Sequence, residues 1–228
     1  MLIKGLQKTT LLDYPSKVAA TIFTGGCNFR CPFCHNASLV TRQDAEAISE
    51  EEVLSFLSKR SGILDGICIT GGEPLLQKDL AEFCKKVRER GLLIKMDTNG
   101  SRPNELKALI DEGLVDYIAM DVKNSKELYA KTCGISDFPA EVEESINIIM
   151  NAGIPYEFRT TVVKELHSRK SIEDLTMWIR GAEKYYLQSF IDSGDTIGQG
   201  YSAHCAEEMT ALLEIAKKNI PSAALRGI

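Results

Sequence analysis

The sequence predicts an α/β protein built as a partial, open barrel of six strand-helix units, and three observations carry that prediction. Short runs rich in β-branched and apolar residues alternate with segments of helical length, which implies parallel strands joined by right-handed crossovers. At 228 residues the chain is shorter than eight such units need, yet it suits one large domain better than two. Polar and glycine-rich signals fall directly after several predicted strands, where barrels of this kind place their chemistry.

Residues 1–17 form an N-terminal extension ahead of the first strand, 18–24 (VAATIFT), which Gly25 and Gly26 end, opening a loop over 25–40. Further strands fall at 66–70, 92–97, 117–121, 156–163 and 185–190. Helices are expected at about 49–59, 77–90, 103–112, 140–151, 171–184 and 205–218. Ser49, three residues before Glu52, offers a capping box for the first of them. No fixed-period repeat, low-complexity tract or linker divides the chain, so 1–228 reads as a single domain.

A hydrophobic content of 44% with 26% charged residues fits a globular chain better than a disordered or membrane one. No stretch reaches the roughly 20 apolar residues of a membrane span, and the first residues lack a long apolar run, so the cytoplasm is the expected location. A net charge of -5 argues against nucleic acid as the main partner. The seven cysteines make an odd count. Cys68, Cys84, Cys133 and Cys205 are scattered singly and read as core residues. Cys27, Cys31 and Cys34 crowd together, which in a reducing compartment points to metal or redox chemistry rather than disulfides.

These three cysteines are spaced C-x3-C-x2-C on the loop after the first strand. Three thiolates on one loop can ligate three irons of a cubane cluster and leave the fourth iron open to an outside ligand. An open iron can chelate a bound molecule and pass an electron into it, whereas a cluster held by four cysteines only shuttles electrons. The competing reading is a structural zinc site with His35 as the fourth ligand, giving a non-catalytic module. Adjacent Cys34 and His35 would have difficulty facing one tetrahedral ion.

The loop Gly25-Gly26-Cys27-Asn28-Phe29-Arg30-Cys31-Pro32-Phe33-Cys34-His35-Asn36 resembles that of the radical S-adenosylmethionine superfamily. Together with residues 5–15 it is similar to the glycyl-radical-enzyme activating group, and within that group to the activating proteins of anaerobic ribonucleoside-triphosphate reductase. The resemblance implies a radical SAM type of open barrel, a [4Fe-4S] cluster on Cys27, Cys31 and Cys34, and S-adenosyl-L-methionine as cofactor. It implies a glycyl radical enzyme as protein substrate and a one-electron donor such as flavodoxin or ferredoxin.

Further motifs fall into place beside it. Gly71-Gly72-Glu73-Pro74 follows the second strand. Alone it would be a tight turn, but bare glycine backbone admits a ligand and a carboxylate can hold an ammonium group. It resembles the segment that binds the amino group of the cofactor. Asp97-Thr98-Asn99-Gly100 has the composition of a helix-leading turn. By resemblance Asp97, Thr98, Met120 and Asp121 are candidate ligands of a monovalent cation, and Thr98 also lies near the cofactor. Lys123 is either a cofactor contact or a solvated lysine. Arg159 and Thr161 alternate onto one face of the fifth strand. The resemblance turns both toward the cofactor, and a structural ion pair explains Arg159 equally well. Asn36 is a further candidate contact, and Gln188 is what the sixth strand offers at the adenine end. His167 and His204 carry no spacing signal and read as surface residues, and 194–200 reads as a flexible loop.

The resemblance therefore implies reductive cleavage of S-adenosylmethionine to a 5′-deoxyadenosyl radical that takes a hydrogen atom from a partner's glycine. A pyruvate formate-lyase type of partner, or direct action on a peptide, RNA or metabolite, stands as the alternative.

Overall fold

A computed structural model describes residues 1–41, 46–192 and 194–227. One eight-stranded sheet runs in sequence order, from β1 (Ile3–Thr10) through β2 (Ala19–Thr24), β3 (Gly66–Gly71), β4 (Leu93–Thr98), β5 (Tyr117–Asp121), β6 (Tyr156–Val162) and β7 (Tyr185–Ser189) to β8 (Ala224–Arg226). From β2 onward every neighbouring pair is parallel, and β1 joins antiparallel to β2. The first and last strands do not pair with each other, so the barrel stays open.

The six parallel units expected from the sequence are β2 to β7. Their helix-facing residues explain the apolar runs: Ile67 and Ile69, Ile94 and Met96, and Ile118 and Met120 are all fully buried. Helices α2 (Glu50–Lys59), α3 (Leu80–Arg88), α4 (Pro103–Asp111), α6 (Ala140–Asn151) and α7 (Arg169–Trp178) make the crossovers, with α8 (Ala206–Lys217) leading to β8. The Ser49 hydroxyl accepts from the Glu52 N–H at 3.1 Å and caps α2, which is one half of the capping box expected there.

Several boundaries differ from the expectation, each for a local reason. The extension 1–17 is in large part strand β1, whose alternation is weak because it lies at the sheet edge with its middle exposed. The helix expected from residue 77 starts at Leu80, after a single 3-10 turn over Pro74–Leu76. Helix α7 begins before Ser171 because Ser168 and Ser171 cap its start reciprocally, the Ser171 N–H reaching the Ser168 hydroxyl at 3.2 Å and the Ser168 N–H reaching the Ser171 hydroxyl at 2.9 Å. It ends at Trp178, well short of 184, ahead of Gly181, whose φ of 93° is outside the helical region. Helices α1 (Ala37–Thr41) and α5 (Lys126–Cys133), and strand β8, were not expected. The inner face of α5 is held partly by polar bonds that no apolar pattern announces. The buried Asn124 amide donates to Thr132 Oγ1 and to the Leu166 carbonyl, both at 2.9 Å.

The lumen of the barrel is polar. Register places Asp97 beside Ala119 and Asp121 beside Arg159, and side chains two apart on a strand share a face. Lys95, Asp97, Asp121, Glu157 and Arg159 therefore meet inside the sheet, while the apolar core lies between sheet and helices.

Candidate active site

The cysteine loop lies over the C-terminal strand ends, seated on the turn that follows β3. The Gly72 N–H donates to the Thr24 carbonyl at 2.9 Å, and the Glu73 N–H donates to the Gly26 carbonyl at 2.8 Å. The Asn36 amide closes the far side by donating to the Gly71 carbonyl at 3.2 Å. On the outside, Arg30 N–H donates to the Cys133 carbonyl at 2.8 Å, and Gly198 N–H to the Pro32 carbonyl at 2.7 Å. The 194–200 segment expected as a flexible loop thus docks in part on the cysteine loop.

Beneath the loop is a cavity of about 250 Å³ lined by Cys27, Cys31, Cys34 and the ends of β3 to β7. Of the residues named from the sequence, Asn36, Gly71, Gly72, Asp97, Thr98, Asp121, Lys123, Arg159, Thr161 and also Gln188 line it. Glu73, Pro74 and Met120 do not.

Glu73 is wholly buried. Its Oε1 accepts from Leu75 N–H at 3.1 Å and from the Thr98 hydroxyl at 2.9 Å, and its Oε2 accepts from Asn99 N–H at 2.7 Å. Burial pushes its carboxyl up to about 7 against the pull of those donors. The carboxylate ties the β3 and β4 turns together, and what this segment presents to the cavity is the backbone of Gly71 and Gly72. Met120 packs its side chain against Gly100, where an added Cβ would meet Met120 Cε at 2.0 Å.

The cavity floor is an ionic network. Arg159 bridges two carboxylates, Nη1 to Asp97 at 3.2 Å and Nε to Asp121 at 2.9 Å. Lys123 Nζ holds the other Asp121 oxygen at 2.8 Å, and the Lys95 ammonium holds Asp97. Burial opposes ionisation of both carboxyls, but the Arg159 charge, with Lys95 or Lys123, holds both below the usual carboxylate range. Within this network three cations face two carboxylates, and Glu157 in the same lumen is paired with Arg226, which leaves one excess positive charge among these groups. Lys123 is therefore no solvated lysine, and Arg159 is an ion-pair residue that also faces the cavity. Both candidate cation-binding carboxylates are already charge-paired. Among the described residues, no three His, Cys, Asp or Glu side chains converge on the position of a single ion.

The three thiols differ in environment. Burial pushes Cys27 up to about 11, opposed by the Phe29 N–H that reaches its sulfur at 3.4 Å. Burial also raises Cys34. The neighbouring thiol of buried Cys133 draws Cys31 below the ordinary thiol value, against the effect of burial. Lys123 favours all three thiolates. Metal binding requires thiolates, and a positive floor with backbone donors suits an anionic cluster whose ligands are spread over several irons. The side chains fit that group better than one zinc ion. His35 stacks on Phe190, ring centroids 5.5 Å apart.

Sequence reasoning missed Lys95, although a lysine two residues before Asp97 on a buried strand signals an inward pair. Three other residues differ from expectation. His167 is buried, accepting from Val163 N–H at 3.0 Å through Nδ1 and lying 2.8 Å from the Lys123 carbonyl through Nε2. His204 is half-buried beside Glu208 at 3.0 Å. Cys205 is exposed and precedes α8 as its N-cap, outside the core.

An open parallel barrel with a three-thiol loop above a charged cavity defines the class of a barrel enzyme working through a loop-held cluster. The family model of the radical SAM superfamily matches residues 21–179. A Methanocaldococcus jannaschii protein provisionally named a glycyl-radical enzyme activating enzyme is 32% identical over 234 residues, covering 100% of this chain and 96% of its own. The pyruvate formate-lyase-activating enzyme of Clostridium pasteurianum is 24% identical over 81% of this chain and 80% of its own. Among solved structures, Streptococcus suis SuiB bound to its precursor peptide SuiA superposes with a TM-score of 0.71 at 17% identity, over 91% of this chain and 48% of that one. The chain belongs to the radical SAM superfamily and, within it, with the glycyl-radical enzyme activating enzymes. Enzymes of this superfamily use a [4Fe-4S] cluster and S-adenosylmethionine.

Proposed function

We propose that this protein generates the glycyl radical of a partner enzyme, and that the partner is an anaerobic ribonucleoside-triphosphate reductase. The observation that carries the activase reading is the near full-length relationship, 96% of the relative's chain at 32% identity. The choice of partner rests on the likeness of residues 5–15 and 24–36 to that activating group.

In this reading Cys27, Cys31 and Cys34 hold the cluster. When bound, it supplies the electron that splits S-adenosylmethionine into methionine and a 5′-deoxyadenosyl radical, which takes a hydrogen atom from the partner's glycine. The chain's own residues bind and orient. The backbone of Gly71 and Gly72, with Asn36, receives the amino end of the cofactor, and Lys123 with the excess positive charge favours its carboxylate. Thr98, Thr161 and Gln188 line the rest of the cavity. No side chain needs to move a proton in this reading. The electron comes from a cytoplasmic flavodoxin or ferredoxin.

The test is anaerobic incubation of the reconstituted, reduced protein with S-adenosylmethionine and the candidate reductase, read by EPR. A glycyl-radical doublet that collapses when the partner's glycine is deuterated at Cα supports the assignment. A doublet only with pyruvate formate-lyase replaces the partner. Robust cofactor cleavage with no doublet on any glycyl radical enzyme overturns the activase reading and points to direct action on a peptide, RNA or metabolite.

A further inference from the structure

The Asn99 backbone N–H holds Glu73, but its side chain has no role assigned so far and reaches the cysteine loop. Its Nδ2 is 3.7 Å from Cys27 Sγ and 3.1 Å from Asn28 Oδ1. An amide nitrogen carries two hydrogens, one for each acceptor. The orientation follows from the surrounding bonds, because Asn99 Oδ1 accepts from the Ser101 N–H at 2.9 Å and so the nitrogen must face the sulfur. The residue is anchored as well as oriented. Its own N–H is held by Glu73 Oε2 at 2.7 Å, and Asn28 is held in turn by its Nδ2 bond to Ser101 Oγ at 2.8 Å. Asn99 is nearly inaccessible to water, and a hydrogen bond in such surroundings is electrostatically stronger than one in solvent.

We propose that Asn99 sets the reduction potential of the cluster by donating a side-chain hydrogen bond to the sulfur of Cys27. The inference rests on the reading that the three thiols hold a [4Fe-4S] cluster. Reduction adds one electron, and part of the added negative charge falls on the ligand sulfurs. A donor aimed at a sulfur therefore stabilises the reduced state more than the oxidised one and raises the potential. The Phe29 N–H does the same from within the loop, but its position is fixed by the loop's own backbone. Asn99 comes from the turn after β4, so the potential is tied to the Glu73 carboxylate that clamps that turn. Glu73 is a positioning residue in this scheme, acting on the cluster through Asn99.

The experiment is a potentiometric titration of the anaerobically reconstituted full chain, followed by the EPR signal of the reduced cluster, for wild type, Asn99→Ser and Asn99→Asp. Iron and sulfide contents and thermal melting are measured alongside. Serine loses the reach to sulfur without adding charge, and aspartate keeps the shape while removing the donor. The expected result is a full cluster in both variants with a lower potential, so that at a fixed solution potential the ratio of reduced to oxidised cluster falls roughly tenfold, ~59 mV for one electron. Folded, fully loaded variants that titrate with wild type overturn the proposal. Should neither variant fold, wild type labelled with ¹⁵N at the asparagine side chains decides, since pulsed EPR of the reduced cluster must show coupling to an amide nitrogen, and its absence overturns the assignment. A wild type that takes up no iron and sulfide instead overturns the cluster reading itself, an outcome distinct from an unshifted potential.

Discussion

Gly72 lies so close to Gly26 that a Cβ on it would sit 1.9 Å from the Gly26 carbonyl oxygen. The same carbonyl accepts the Glu73 N–H at 2.8 Å. The turn after β3 is thus the seat on which the cysteine loop rests, and the seat requires a residue without a side chain.

Replacing Gly72 by alanine sets its Cβ against the Gly26 backbone, which no rotamer change relieves. Gly72→Ala is expected to destabilise the cluster-free chain by about 2 kcal/mol and to lower reconstituted iron per chain, both measurable by urea melts and iron assay. Wild-type iron content in the variant contradicts this account of the loop.

Lys95 is 2% exposed, and its ammonium binds Asp97 and lies 3.6 Å from Cys68 Sγ. Burial works against its charge, and the Asp97 carboxylate more than restores it. Lys95→Met removes one partner of a buried ion pair and leaves Asp97 to Arg159 and Thr70. The variant is expected to lose about 3 kcal/mol of stability, read by denaturant titration. An unchanged midpoint contradicts a supporting role for the lysine.

His167 is buried and held low, at about 4, by desolvation. Its folded value lies below the 6.5 of the free side chain, so between these values the unfolded chain binds the extra proton. The neutral ring's contribution is present above pH 6.5 and is lost as pH falls toward 4, by about 3 kcal/mol at most. Buried Glu73, raised to about 7, acts in the opposite sense, favouring the folded chain as pH falls from 7 through the ordinary carboxyl value of 4.5. The difference between wild type and His167→Gln therefore isolates the histidine. Their stability gap is expected to shrink as pH falls from 6.5 to 4, and a gap constant with pH contradicts the assignment.

The six parallel units were legible because each strand is a short apolar run flanked by glycine or polar turns, and the cysteine loop because its spacing is itself the chemistry. Strand β1 was hidden by its exposed middle, and α5 by an inner face held through Asn124 and Thr132. The candidate site was legible as residue identities and much less as geometry. Asp97, Asp121, Lys123 and Arg159 could be named, but their mutual pairing depends on strand register, which local sequence does not encode. Glu73 shows the limit most clearly. A carboxylate in a glycine turn suggests a ligand contact, and only the position of the Asn99 N–H reveals that it clamps two turns together.

The central claim is that the three thiols hold a cluster that cleaves S-adenosylmethionine. The most direct measurement is 5′-deoxyadenosine formed after anaerobic reconstitution with iron and sulfide and reduction with dithionite, comparing wild type with Cys31→Ala. The account predicts product from wild type and none from the variant. A wild type that binds one zinc, assembles no cluster and forms no 5′-deoxyadenosine would contradict it.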